Sequence, residues 1–188
     1  YNDMKKLNEL LADVRVRSVC GDMDKEVLHV HFDSRKVESG DLFVAQRGVN
    51  VDGHAFISKA IGAGCCAVVC EELPQEMSDN VTYIVVEDSS EALGNIASNY
   101  YGRPSLKMKL VGVTGTNGKT TTATLLYEMA RLAGYKAGLL STVCNYIGDD
   151  KIASTHTTPD ALSINEYMYQ MVEAGCKYCF MEVSSHSI

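Results

Sequence analysis

Leu110-Val-Gly-Val-Thr-Gly-Thr-Asn-Gly-Lys-Thr-Thr-Thr122 is the stretch whose reading decides the fold. A short apolar run enters a glycine-rich turn, a Lys-Thr pair follows, and a helical pattern continues to Gly134. Strand, Gly-rich turn, Lys-Thr and helix, in that order, are the context that makes a phosphate-binding loop credible. Gly115 and Gly118 let the backbone curl so that successive N–H groups face anionic oxygens. Lys119 can then reach terminal phosphates, and the Thr120 hydroxyl can ligate Mg²⁺. The positive end of the helix points at the same place. The standard spacing G-x-x-x-x-G-K-[ST] would put glycine at Val113; here the glycines fall at 112, 115 and 118.

A magnesium–nucleotide site also needs a carboxylate at the end of a neighbouring strand. Glu182 ends the run Tyr-Cys-Phe-Met-Glu, and an acidic residue between Met181 and Val183 is costly to bury unless a cation compensates it. The alternative is an edge-strand glutamate in water.

Working outward, residues 136–142 and 177–183 read as strands and 144–152 as a hairpin turning at Gly148-Asp149. A helix starts with Pro159 as its first residue and runs to about Gly175. On the N-terminal side, residues 4–11 look helical, 27–32 and 41–46 look like strands, and 54–64 look like a helix closed by glycine. Strands at 66–72 and 81–87 and a helix over 88–101, capped by Asp88 or Ser89, complete that half. Alternating strands and helices imply an α/β fold with largely parallel sheets. Gly102-Arg-Pro-Ser-Leu-Lys-Met-Lys109 is the boundary, giving domains over 1–105 and 106–188. The chain stops just past a strand and reads as truncated.

The 188 residues carry 17 Lys+Arg against 24 Asp+Glu, a net charge of -7, with 46% hydrophobic and 22% charged residues. That is ordinary globular usage, and no apolar run is long enough for a membrane span. An acidic surface disfavours non-specific nucleic-acid binding. The seven cysteines sit mostly in apolar runs and read as reduced, packed thiols, Cys176-Lys-Tyr-Cys179 included. No apolar signal segment is visible at the N-terminus, so a cytoplasmic compartment is expected. His29 and His31 alternate on one strand face and read as structural, and His54 reads as a neighbour of a helix start.

Val113-Thr-Gly-Thr-Asn-Gly-Lys-Thr-Thr121 and Met181-Glu-Val-Ser-Ser-His186 resemble the central-domain motifs of the Mur ligases, ATP-dependent amide-forming enzymes of peptidoglycan precursor synthesis. Asp33-Ser-Arg35, Gly40-Asp-Leu-Phe-Val-Ala45 and Asp52-Gly-His54 look like the N-terminal UDP-sugar domain of one member, and Thr157-Thr-Pro-Asp160 fits the same member. That member adds the third amino acid, diaminopimelate or lysine, to UDP-N-acetylmuramoyl-L-alanyl-D-glutamate. The resemblance implies a small α/β UDP-sugar-binding domain followed by an incomplete P-loop-type, parallel-sheet ATPase domain, the first one and a half of three domains. Gly115, Thr116, Asn117, Gly118, Lys119, Thr120 and Thr121 would bind ATP, with Lys119 catalytic and Thr120 and Glu182 on Mg²⁺. Phe32, Ser34 and the Val49-Asn50-Val51 turn would contact the uridine end of the UDP-MurNAc-dipeptide. Thr157, Thr158 and Ser184 would hold its peptide arm. His156 stands where many members carry Asn, and His186 has no assigned role. A monomer is expected.

In the implied reaction the substrate carboxylate attacks the γ-phosphate to give an acyl phosphate, which the amine of the incoming amino acid then displaces. Positioning and charge neutralisation are the protein's work, so Cys144 and Ser184-Ser185 need not be covalent catalysts. The rival readings are a folylpolyglutamate synthetase, against which the DSR and GDLFVA segments count, and a UDP-sugar-binding module without turnover.

Overall fold

The computed structural model describes residues 3–153 and 159–184. The chain divides into two compact units, Tyr1–Tyr100 and Tyr101–Ile188. In chain order the first contains β1 (Lys5–Lys6), α1 (Leu7–Leu10), β2 (Val16–Cys20), β3 (Glu26–Val27), β4 (Val30–His31), β5 (Leu42–Val44), α2 (Ile57–Gly62), β6 (Ala67–Cys70), β7 (Thr82–Val86) and α3 (Ser89–Tyr100).

Its main sheet has the order β2-β7-β6-β5-β4. Strands β4 to β7 run parallel, and β2 joins the edge antiparallel to β7. Strands β5 and β6 are buried at every position, as parallel strands covered on both faces must be. Phe43, Val68 and Tyr83 pack with Ile57 and Ala60 of α2 on one side. The alternate residues Leu42, Val69 and Ile84 are fully buried too, which strand alternation places on the opposite face. Asp88 caps α3 by accepting from the N–H groups of Ser90 and Glu91 at 2.9 and 3.1 Å.

Two local expectations need correction, and one strand is new. The helix expected over 4–11 is only α1, because Lys5 and Lys6 pair antiparallel with β3 instead. The strand expected over 27–32 is broken into β3 and β4, since Leu28 N–H donates to Gly40 and His29 N–H to the Asp41 side chain. Strand β2 was not expected: all five of its residues are exposed, so it carries no alternating pattern.

The second unit contains β8 (Lys109–Val113), α4 (Lys119–Leu132), β9 (Ala137–Leu140), β10 (Asn145–Ile147), β11 (Asp150–Ile152), α5 (Ala161–Glu173) and β12 (Tyr178–Glu182). The sheet order is β11-β10-β9-β12-β8. Strand β12 lies between β8 and β9, parallel to both, while β10 and β11 extend the sheet as an antiparallel hairpin turning at Gly148-Asp149. Helix α4 lays Ala123, Tyr127 and Ala130 against Ala137, Leu139 and Phe180. Helix α5 lays Met168 and Met171 against Leu140 and Cys179. Residues 139 and 140, and 179 and 180, are adjacent on their strands and so face opposite ways. The unit is therefore a three-layer α/β/α sandwich. Helix α5 is capped by Asp160, whose side chain accepts from Ser163 N–H at 2.8 Å. Pro159 accordingly precedes the cap rather than opening the helix.

Cys176 and Cys179 are both buried and free, and burial pushes the Cys179 thiol up to about 12. Such thiols are packed hydrophobes, not ligands or nucleophiles.

Candidate functional site

Strand β8 ends at Val113 and delivers the chain into residues 114–118, an exposed turn that ends where α4 begins. Gly118 occupies the N-cap with φ 79°, and Gly115 has φ 140°, backbone conformations that favour glycine. An added Cβ would meet nothing within 4 Å at Gly118, so the glycine there answers to the backbone and not to crowding. Gly115, Thr116, Asn117 and Gly118 thus form one continuous loop before α4. Lys119, Thr120 and Thr121 are the first turn of that 14-residue helix, at the positive end of its dipole.

The end of β12 stands beside this turn because β12 pairs in register with β8, Glu182 opposite Val113. Thr120 Oγ1 donates to Glu182 Oε1 at 2.8 Å. The other carboxylate oxygen accepts from Thr142 N–H, just past β9, at 2.8 Å. Glu182 is half-buried and hydrogen-bonded on both oxygens, neither orphaned nor a loose edge residue. One small hollow is lined by Lys119, Thr142, Met181, Glu182 and Ser184, at the C-terminal ends of the parallel strands where α/β sheets bind ligands. Thr157 and Thr158, with His156 and His186, lie outside the described residues.

The Thr120 hydroxyl and the Glu182 carboxylate are hard oxygen donors, the type Mg²⁺ selects. Two ligands at neighbouring corners of an octahedron with Mg–O bonds of 2.0–2.1 Å stand about 2.9 Å apart. The Thr120–Glu182 separation of 2.8 Å fits that edge.

In the first unit a cavity of about 470 Å³ opens beside the Ser34–Lys36 turn. Phe32, Ser34 and Val51 line it, together with Gln46, Phe56 and Lys59, which sequence reasoning missed. Val49 and Asn50 belong to the same turn but are not among the lining residues, and Val49 is fully exposed. Asp33 caps the Ser34–Lys36 turn through Arg35 N–H and takes the Arg35 guanidinium at 2.8 and 3.0 Å. That guanidinium bond holds the Asp33 carboxyl at about 2.

The turn over 48–51 is closed by a β-bridge between Arg47 and Asp52 and by Gly48 N–H donating to Val51. Gly53 has no room for a side chain: a Cβ there would stand 2.8 Å from Gln46 N. Arg47 reaches Glu72 at 3.2 Å and Asp52 at 3.6 Å. His54 Nε2 accepts from Glu71 N–H at 2.8 Å, and Nδ1 lies 2.7 Å from Asp52, so the ring is anchored at both nitrogens. The sequence signalled His54 at a helix start, but not the reach of His54 and Arg47 to Glu71 and Glu72, which come close only when β5 and β6 pair.

Two family models match: "Mur ligase family, catalytic domain" over residues 26–101 and "Mur ligase middle domain" over residues 113–188. The chain belongs to the Mur ligase family. Among curated Mur ligases, the UDP-N-acetylmuramoyl-L-alanyl-D-glutamate–2,6-diaminopimelate ligase of Cytophaga hutchinsonii is 58% identical over 97% of this chain. The ligase of the same name from Bacteroides fragilis is 55% identical over the same share. The chain spans 38% of the length of each. A solved structure of a Mur ligase with that name superposes with a TM-score of 0.75 at 22% identity, over 98% of this chain and 37% of its own. The MurF ligase from Thermotoga maritima in complex with ADP gives 0.54 at 24% identity, over 84% and 32%. At these identities the solved structures establish the shared α/β fold.

Proposed function

We propose that this chain is the nucleotide-sugar-binding and phosphate-loop part of a ligase that adds 2,6-diaminopimelate to UDP-N-acetylmuramoyl-L-alanyl-D-glutamate with ATP. The observation that carries the reading is the meeting of Thr120 and Glu182 at 2.8 Å, from α4 and β12, at the mouth of a glycine-rich loop. The names of relatives 55–58% identical over nearly the whole chain supply the substrate and the amino acid.

In this reading the loop over Gly115–Gly118 and the first turn of α4 cradle the nucleotide phosphates. Lys119 offers a compact ammonium to charge developing on the transferred phosphoryl group. Mg²⁺, when bound by Thr120 and Glu182, would neutralise phosphate charge. Thr142 N–H holds the Glu182 carboxylate in place, and binding then requires the Thr120 hydroxyl to turn its proton away from Glu182. Ser184, in the hollow with Lys119, would orient the acyl arm beside the phosphate loop. The cavity at Phe32, Ser34 and Val51 would take the uridine end. Its volume is that of an ordinary small-molecule site, with Phe32 and Phe56 for the base and Lys59 for anionic oxygens.

Calorimetry of this chain with UDP, UDP-MurNAc-dipeptide and a folate substrate tests the assignment. Binding of both uridine ligands, tighter for the dipeptide, is the expected result. Folate binding without UDP-sugar binding would overturn it.

A further inference from the structure

Among the described residues, one group of metal-ligating side chains converges outside the sites above: His29, His31 and Asp41, in the first unit. Parallel pairing brings them together. His31 ends β4 opposite Phe43 of β5, Leu42 N–H donates to His29 O at 2.9 Å, and Asp41 immediately precedes β5. Histidines two apart on an extended segment share a face, and both imidazoles turn toward the Asp41 carboxylate.

That carboxylate is fully buried and fixed by its own backbone bonds. Oδ1 accepts from His29 N–H at 3.2 Å and Oδ2 from Glu38 N–H at 2.8 Å. Each oxygen has a second lone pair. Oδ1 lies 3.5 Å from His29 Nδ1 and Oδ2 lies 3.5 Å from His31 Nε2. Those distances are long for N–H···O hydrogen bonds. Each is near the roughly 3.3 Å between two ligands of a tetrahedral ion with bonds of 2.0–2.1 Å, but the two run to different carboxylate oxygens, so the rings must turn inward to share one ion. All three ligand atoms fall within 4.8 Å of one another. The imidazoles are 31% and 27% exposed, which leaves an ion a way in and the rings room to rotate.

We propose that His29, His31 and Asp41 bind a divalent transition-metal ion of the Zn²⁺ or Co²⁺ type, joining the end of β4 to the start of β5. Two imidazoles and one carboxylate suit such ions better than Mg²⁺ or Ca²⁺, which prefer oxygen throughout. A dication also compensates the buried Asp41 charge. The segment between the ligands, residues 32–40, carries Phe32 and Ser34 of the 470 Å³ cavity, so the ion clamps both ends of a cavity wall. The role is structural.

The test is Co²⁺ titration of the chain with its cysteines kept reduced, followed by absorption and by imidazole proton NMR. One equivalent should bind with d–d bands, without thiolate charge transfer, and with paramagnetic shifts of the His29 and His31 ring protons. His29→Gln and His31→Gln should each weaken Zn²⁺ and Co²⁺ binding at least about tenfold with unchanged circular dichroism, since even groups behind the ligands are worth that much. Thiolate charge-transfer bands, or unchanged affinity in both variants, would overturn the proposal. Should a variant fail to fold, unshifted His29 and His31 resonances in the unaltered chain would overturn it equally.

Discussion

Replacing Gly138 by alanine tests how tightly α5 is seated on β9. Gly138 lies in the middle of the sheet, opposite Cys179 of β12, and its φ is not in the left-handed region, so any cost is steric. A Cβ at this position would stand 2.6 Å from Met171 Cε and 2.8 Å from Cγ, and closer still to Sδ. Met171 is flexible but fully buried among Leu140, Met168 and Cys179, so making room for the methyl means repacking that cluster. Overpacking of this kind costs about 2 kcal/mol. For a unit of under a hundred residues that lowers Tm by roughly 8–16 °C. The informative partner is Met171→Ala, which alone should cost about 3 kcal/mol through the cavity it leaves. In the double variant the new methyl occupies part of that cavity, so the combined loss should be about 3 kcal/mol rather than the sum of about 5. Differential scanning calorimetry of the four proteins measures the cycle. A Gly138→Ala chain with unchanged Tm, or a strictly additive double variant, would refute the close approach of α5 to β9.

Lys119→Ala should abolish nucleotide binding measured by calorimetry while moving stability by no more than about 0.5 kcal/mol, as a substitution outside the core does; retained affinity would return Lys119 to an incidental helix residue. Glu182→Gln places an amide NH₂ against either Thr120 or Thr142 N–H, and Mg²⁺-dependent nucleotide affinity should fall at least about tenfold, or about 1.4 kcal/mol. An unchanged Mg²⁺ dependence would remove Glu182 from the metal site. Asp33 should titrate near 2 by carboxyl NMR, and Arg35→Gln should bring it back toward 3.8. Because the folded value is depressed, the Asp33–Arg35 contribution is complete above the unfolded value near 3.8 and is lost as pH falls through about 2. A midpoint near 3.8 in the unaltered chain would refute the pairing.

What the sequence revealed and what it hid follow the range of the forces involved. The glycine-rich turn between β8 and α4 was legible because its determinants are neighbours: Gly115, Gly118, Lys119 and Thr120 lie within six positions, between an apolar strand and a helix. The hairpin at Gly148-Asp149 and the Asp88 cap were legible for the same reason. The split of residues 27–32 was not, since it depends on Gly40 and Asp41 claiming the Leu28 and His29 amides from a dozen positions away. Strand β2 escaped because it pairs through backbone alone, with Arg17 and Ser18 facing water among the other exposed residues. In the first-unit cavity Phe32, Ser34 and Val51 were anticipated, whereas Gln46, Phe56 and Lys59 come from later segments that reach it only once the parallel sheet forms. Glu182 stood out as a charge inside an apolar strand. Its bond to Thr142 could not be foreseen, because it requires β9 and β12 to be neighbours.

The sheet order β8-β12-β9 governs how the second unit can be made during synthesis. Strands β5, β6 and β7 of the first unit are consecutive neighbours and can zip together as they emerge. By contrast, β8 and β9 never pair with each other, and both lack their shared partner until β12 is complete at Glu182, 42 residues after Leu140. At 5–20 residues per second that is a wait of roughly 2–8 s, in which two apolar strands present open backbone edges to the ribosome surface and to chaperones. Synonymous changes that slow translation between codons 141 and 182 should therefore lower the yield of folded second unit far more than the same slowing between codons 45 and 86.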